Sequence, residues 1–174
     1  LQALMYPFIF LSMYFQVLLL TSFFENKKKI KEEESQEVTS YPTVTIAVPC
    51  WNEEKTLAGT LDSLLALAYP MDKLSIIIVD DGSKDATLAI AKAYEVKYPK
   101  VVRAITKENG GKHTAVNLAL SLSKSDLFGC LDADSFVDKN ALRVLVAYFE
   151  HHPKAMAVTP CIHIRSPKTL IQRI

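Results

Sequence analysis

The run Ile76-Ile77-Ile78-Val79-Asp80-Asp81-Gly82-Ser83 decides the architecture. Four successive β-branched apolar residues form a strand covered on both faces, the kind found in parallel sheets with helices above and below. Two carboxylates then end the run, and Gly82 permits a sharp turn. Ser83 and Asp85 supply caps for a helix just after it. In an open α/β sheet, ligands bind in the crevice beyond the carboxyl ends of the strands, so aspartates at such an end mark a candidate site.

The same alternation extends in both directions. Apolar, β-branched runs at Thr43–Val48, Leu74–Val79, Val101–Ile105, Leu127–Leu131 and Ala155–Thr159 read as strands. Helical periodicity fills Glu53–Leu67, Asp85–Lys97, Lys112–Ser123 and Lys139–His151. Leu57, Leu61, Leu64, Leu65 and Ala68 recur at three and four residues and give one buried stripe, and Leu88, Ala91 and Tyr94 give another. The expected fold is α/β: a mainly parallel sheet with flanking helices.

The domain is expected over residues 42–174, and the segment before it is different. Residues 1–24 carry no charged side chain and have the length of a transmembrane helix. A signal peptide would have a shorter apolar core, basic residues before it and a small-residue cleavage site after it, none of which is present. Lys27, Lys28, Lys29 and Lys31 come after the apolar stretch. The positive-inside rule then sets the domain in the cytoplasm, attached to the plasma membrane by a single span, with the lysines able to meet anionic lipid. Residues 25–41, polar and without apolar periodicity, read as a juxtamembrane linker or a fraying extension of the span.

A net charge of +1 gives no electrostatic footprint for nucleic acid. The three cysteines, Cys50, Cys130 and Cys161, lie in apolar runs without metal-like spacing and read as reduced, buried thiols.

Four clusters carry candidate chemistry. After the first strand comes Pro49-Cys50-Trp51-Asn52-Glu53-Glu54, where Asn52 suits an N-cap and the two glutamates suit the positive end of a helix dipole. Trp51 reads either as a platform for a base or as core. At Asp80-Asp81, one carboxylate can cap while the other accepts from a ligand, such as an imide N–H or a ribose hydroxyl. Asn109-Gly110-Gly111-Lys112-His113 opens a helix with a glycine pair and a cation, an arrangement able to offer backbone N–H groups to a phosphate. Its spacing matches neither a Walker A loop nor a dinucleotide fingerprint, and His113 reads more simply as a surface or core histidine. Finally, Asp132-Ala133-Asp134 comes after an apolar strand; carboxylates at i and i+2 of an extended segment point the same way and can converge on a divalent cation.

In order, Val48-Pro49-Cys50-Trp51-Asn52-Glu53-Glu54, Val79-Asp80-Asp81-Gly82-Ser83, Gly110-Gly111-Lys112 with Asn117, and Asp132-Ala133-Asp134 resemble the nucleotide-sugar half of the family 2 glycosyltransferases. The likeness runs over about residues 43–165 and is greatest to membrane-bound polysaccharide synthases of the poly-N-acetylglucosamine, hyaluronan and cellulose type. It implies a GT-A fold, and transfer with inversion of a sugar from a nucleoside diphosphate donor, a UDP-sugar, to a saccharide or lipid-linked acceptor. By position it implies that Pro49, Trp51, Glu53, Val79 and Asp81 line the nucleoside pocket, with Trp51 where tyrosine is usual. Lys112 would approach the diphosphate, Ala133 would lie on the donor, and Asp132 and Asp134 would form the site for Mg²⁺ or Mn²⁺, with Asp132 also facing ribose or sugar. The general base of the family, and the Gln-x-x-Arg-Trp of its processive members, are expected beyond Ile174, which makes the domain C-terminally incomplete and its turnover poor. The strand-end aspartates admit two other readings: phosphoryl transfer, and a membrane-tethered module that binds a nucleotide sugar without turnover.

Overall fold

The computed structural model describes residues 2–34 and 38–160, in two compact units divided after residue 37. The first is one helix, α1 (Gln2–Glu34). Its stretch Tyr6–Glu25 has 20 residues with a mean hydropathy of 1.7 and shows its side chains to the surroundings throughout, so by length and composition it is able to cross a membrane. The helix does not stop where the apolar residues do. It continues through the lysine cluster to Glu34, because Lys and Glu are strong helix formers and no Gly or Pro interrupts them.

The second unit is built on four parallel strands: β1 (Val44–Cys50), β2 (Leu74–Asp80), β3 (Val102–Thr106) and β4 (Leu127–Cys130), in the order β3-β2-β1-β4. Val44 lies opposite Leu74 on one side and Leu127 on the other, so β1 is central and its carboxyl end is flanked by those of β2 and β4. Alternate residues fill two cores. On one face Val44, Ile46 and Val48 of β1 and Ile76 and Ile78 of β2 pack with Leu57, Leu61 and Leu64 of α2 (Leu57–Leu65), Ala91 of α3 (Thr87–Lys97), and Leu142 and Val146 of α5 (Ala141–His151). On the other, Ala47, Ile77 and Val79 meet Ala115 and Ala119 of α4 (Lys112–Leu122). The chain moves from β1 to β2 and β3 in one direction, then returns to the far side of β1 for β4. That reversal is the topological switch point, which opens a crevice beyond the ends of β1 and β4.

The α/β fold and four of the five expected strands are present, with ends shifted by one or two residues. The fifth is corrected: residues 155–160 are irregular, and Met156 is 95% exposed. Strand-forming residue types yield a strand only beside a partner, and none pairs with this segment among the described residues. Cys130 is exposed rather than buried, because β4 is an edge and Gly129 beside it faces open space. Cys161 lies outside the described residues.

Candidate functional site

The segment after β1 does not enter a helix at Glu53 as the capping pattern suggests. Asn52 takes a left-handed backbone, φ 55°, and α2 begins only at Leu57. The reason lies in the neighbouring loop after β2, to which the segment is laced. The Asn52 N–H donates to Ser83 Oγ at 2.9 Å, Glu53 N–H to Thr87 Oγ1 at 2.8 Å, and Glu54 N–H to Asp85 Oδ2 at 3.1 Å. Lys84 N–H donates back to Asn52 Oδ1 at 2.9 Å, and Ala86 N–H to Glu54 Oε2 at 3.2 Å. These bonds occupy the capping groups and turn Trp51 outward, 55% exposed, so it is not core.

The two aspartates after β2 divide. Asp80 is buried and bonded within the fold, accepting from Thr106 Oγ1 at 2.9 Å and Ser83 N–H at 3.3 Å. Asp81, only 4% exposed, accepts from Lys107 Nζ at 2.5 Å and from the N–H groups of Gly110 at 3.0 Å and Gly111 at 2.7 Å. The Lys107 ammonium, helped by the two glycine N–H groups against the cost of burial, holds the Asp81 carboxyl below the usual carboxylate range. The expected phosphate cradle is thereby corrected: the N–H groups of Gly110 and Gly111 are taken up by Asp81, since a buried carboxylate takes the donors nearest to it.

Beyond β4 the chain makes a tight turn. Ser135 N–H donates to the Asp132 carbonyl at 3.0 Å, and the buried Thr60 of α2 fixes the turn by donating its hydroxyl to the Ala133 carbonyl at 2.7 Å. Asp132 and Asp134 therefore stand on a turn rather than on an extended strand, yet both reach one cleft. Lys112, at the first position of α4, bridges to Asp132 Oδ1 at 2.5 Å with both side chains more than half exposed. That carboxylate raises the Lys112 pKa.

These pieces line a cleft of about 480 Å³ at the switch point: Pro49, Trp51, Glu53, Asp81, Lys112, Asp132, Ala133 and Asp134, with Cys50, Asn109 and Gly111. Val79 is the exception among the candidate residues. It is fully buried in the core against α4 and does not line the cleft, because its place in β2 points it away from the crevice. Cys50 carries no reactive thiol: burial, and then Asp80 and other nearby carboxylates, push its pKa up to about 12. Lys107 is the residue that motif reading passes over, and Asn109, read only as the start of the glycine-pair cluster, lines the cleft. Their signal was positional, since β3 pairs Thr106 with Asp80 and so carries the next residues past the β2 aspartates.

The donor set suits a hard cation that arrives with its ligand. Asp132 and Asp134 offer carboxylate oxygens, and among the described residues no three acidic, His or Cys side chains gather to hold a metal alone. Mg²⁺ and Mn²⁺ are commonly held in this way, by one or two carboxylates with phosphate oxygens completing the shell.

A parallel sheet covered by helices on both faces, with a carboxylate-lined cleft at its switch point, defines a GT-A-like α/β domain. The model of glycosyl transferase family 2 matches residues 45–174, and the chain belongs to that family. It is 33% identical over 174 residues to the poly-beta-1,6-N-acetyl-D-glucosamine synthase of Staphylococcus aureus (strain COL), covering 98% of this chain and 41% of the synthase. The beta-monoglucosyldiacylglycerol synthase of Synechocystis sp. is 40% identical over 111 residues, 63% of this chain and 23% of that enzyme. Among solved structures, the mannosyltransferase PcManGT from Pyrobaculum calidifontis in complex with GDP-Man and Mn²⁺ aligns with a TM-score of 0.62 and 28% identity, over 66% of this chain and 34% of that one. TarS 1-349 of S. aureus in complex with UDP-GlcNAc aligns at 0.57 with 27% identity, over 64% and 32%. The chain thus spans less than half the length of these relatives.

Proposed function

We propose that this chain carries the donor-binding part of an inverting glycosyltransferase that moves a sugar from a nucleoside diphosphate, in particular a UDP-sugar, to a saccharide or lipid-linked acceptor in polysaccharide synthesis at a membrane. The observation that carries the reading is the convergence of Trp51, Asp81, Lys112, Asp132 and Asp134 on one cleft at the switch point. The UDP-GlcNAc complex of TarS supports the uridine donor, and the S. aureus poly-beta-1,6-N-acetyl-D-glucosamine synthase supports polysaccharide synthesis.

In this reading Trp51 offers its exposed face to the base. Asp81 has three of its roughly four acceptor positions filled from within the chain, which leaves one for a single donor such as a uracil imide N–H. Asp132 and Asp134 hold the cation, Mg²⁺ or Mn²⁺. Bound there, it would neutralise charge on the departing diphosphate. Lys112, already at the cleft wall, adds a point charge for the same phosphates. As the bond from the anomeric carbon to the diphosphate oxygen breaks, an acceptor oxygen bonds to that carbon from the opposite side, and a base takes the acceptor proton. The apolar stretch of α1 and the lysines after it support a membrane-attached chain with this domain in the cytoplasm.

Titration calorimetry of the chain with UDP and Mn²⁺ tests the assignment. Asp134→Ala should weaken UDP binding at least tenfold, about 1.4 kcal/mol. Binding indifferent to that substitution, or no binding by the unsubstituted chain, overturns it.

A further inference from the structure

Lys107 stands behind the cleft and lines none of it. Its backbone N–H donates to the Asp80 carbonyl at 3.0 Å, one residue past the end of β3. Its ammonium turns inward to Asp81 Oδ1 and to the Glu108 carbonyl, both at 2.5 Å. Only 22% of this side chain is exposed, against 60% for Lys112 and 51% for Lys92. Asp81 ties the same turn from the other side through the N–H groups of Gly110 and Gly111.

The packing around this ion pair leaves little slack. A Cβ on Gly110 would lie 2.9 Å from Thr114 Oγ1 and 3.1 Å from Lys107 Nζ, and one on Gly82 would lie 3.1 Å from Asn109 N. The loop after β2 and the turn after β3 are thus interlocked, with a buried carboxylate between them. The turn leads directly into the cleft wall: Asn109 and Gly111 line it, and Lys112 starts α4 immediately afterwards.

We propose that Lys107 is a positioning residue for the donor: its ammonium, seated on Asp81, holds the turn 107–111 against the end of β2 and so sets Asn109, Gly111 and Lys112 at the cleft. The role rests on the proposed donor site. The depressed pKa of Asp81, for which Lys107 is the largest cause, accords with it. Without the ammonium, a carboxylate withdrawn from water keeps two backbone donors and no counter-charge, a state costly enough to open the turn. Arginine carries the same charge and can reach the same oxygen; methionine fills the space without charge.

The test uses the full chain with Lys107→Met and Lys107→Arg. Amide hydrogen exchange is measured in the absence of nucleotide, and UDP binding with Mn²⁺ by calorimetry. Lys107→Met should speed exchange at Gly110, Gly111 and Lys112 while Ile76, Ile77 and Ile78 in β2 keep their protection, and should weaken UDP about tenfold, the scale seen when a supporting partner behind a ligand is lost. Lys107→Arg should restore both. A Met variant that binds UDP like the unsubstituted chain, a turn whose exchange does not change, or a failure of Arg to rescue overturns the proposal. Failure of the unsubstituted chain to bind UDP overturns the donor reading instead, and is told apart because it needs no substitution.

Discussion

Asp81 and Asp132 present the same carboxylate to the same cleft, and their surroundings give them different work. Asp81 is almost wholly buried with three donors on it, whereas the Asp132 side chain is 53% exposed with one lysine partner on an equally open arm. An exposed pair contributes little to stability, and a buried, multiply bonded carboxylate contributes a good deal. Asp81→Asn should therefore lower the unfolding free energy at neutral pH by about 2 kcal/mol, since an amide offers one acceptor where the carboxylate met three donors. The depressed pKa gives the sign of the pH dependence. The stabilisation is fully present above the ordinary carboxylate range and is lost as pH falls through the lower folded-state value. Chemical denaturation of the two proteins should diverge at pH 7 and converge in strong acid. That Asp81 belongs to the site was legible from its place after an apolar strand; that most of its acceptors are taken up by Lys107 and the glycines was not, because those donors come from another loop.

At the scale of elements, the helix stripe of α2 and the apolar run of β2 were readable because period and residue type agree there with what the core demands. The start of α2 was not, because cross-loop hydrogen bonds outcompete the local cap at Asn52. A similar long-range bond fixes the entry to the domain. Glu150 on α5 accepts the N–H of Thr39 at 3.0 Å and of Ser40 at 2.8 Å, and both hydroxyls as well. The Thr39 N–H above all, with the Ser40 and Thr39 groups, lowers the Glu150 pKa to about 2. Because these groups are exposed, Glu150→Ala should release the strap locally, with faster amide exchange at Thr39 and Ser40 and little change in melting temperature. In the unsubstituted chain the strap should persist down through pH 4.5 and loosen only as the pH approaches about 2.

For the whole molecule, the two units invite separation. Both hydrophobic cores of the second unit are drawn from residues after 37. A chain of residues 38–174 should therefore keep a cooperative thermal transition within about 3 °C of the full chain, while the full chain alone partitions into lipid vesicles. Loss of the transition on truncation would place α1 within the folding unit, and equal partitioning of both chains would remove the reading of α1 as a span.

The sequence by itself determined the alternation of strands and helices, the buried character of β2, the long apolar helix at the front and the presence of aspartates at two strand ends, because these depend on periodicity and residue type along the chain. The tertiary structure alone decided that β4 returns to pair with β1, which brings Asp132 and Asp134 to the same cleft as Trp51 and sets Asp132 on Lys112. It also decided that Val79 faces the core, that residues 155–159 form no strand, and that Lys107 seats on Asp81. Those outcomes depend on which strands lie side by side and which donors a buried carboxylate meets, and such pairings join residues far apart in sequence.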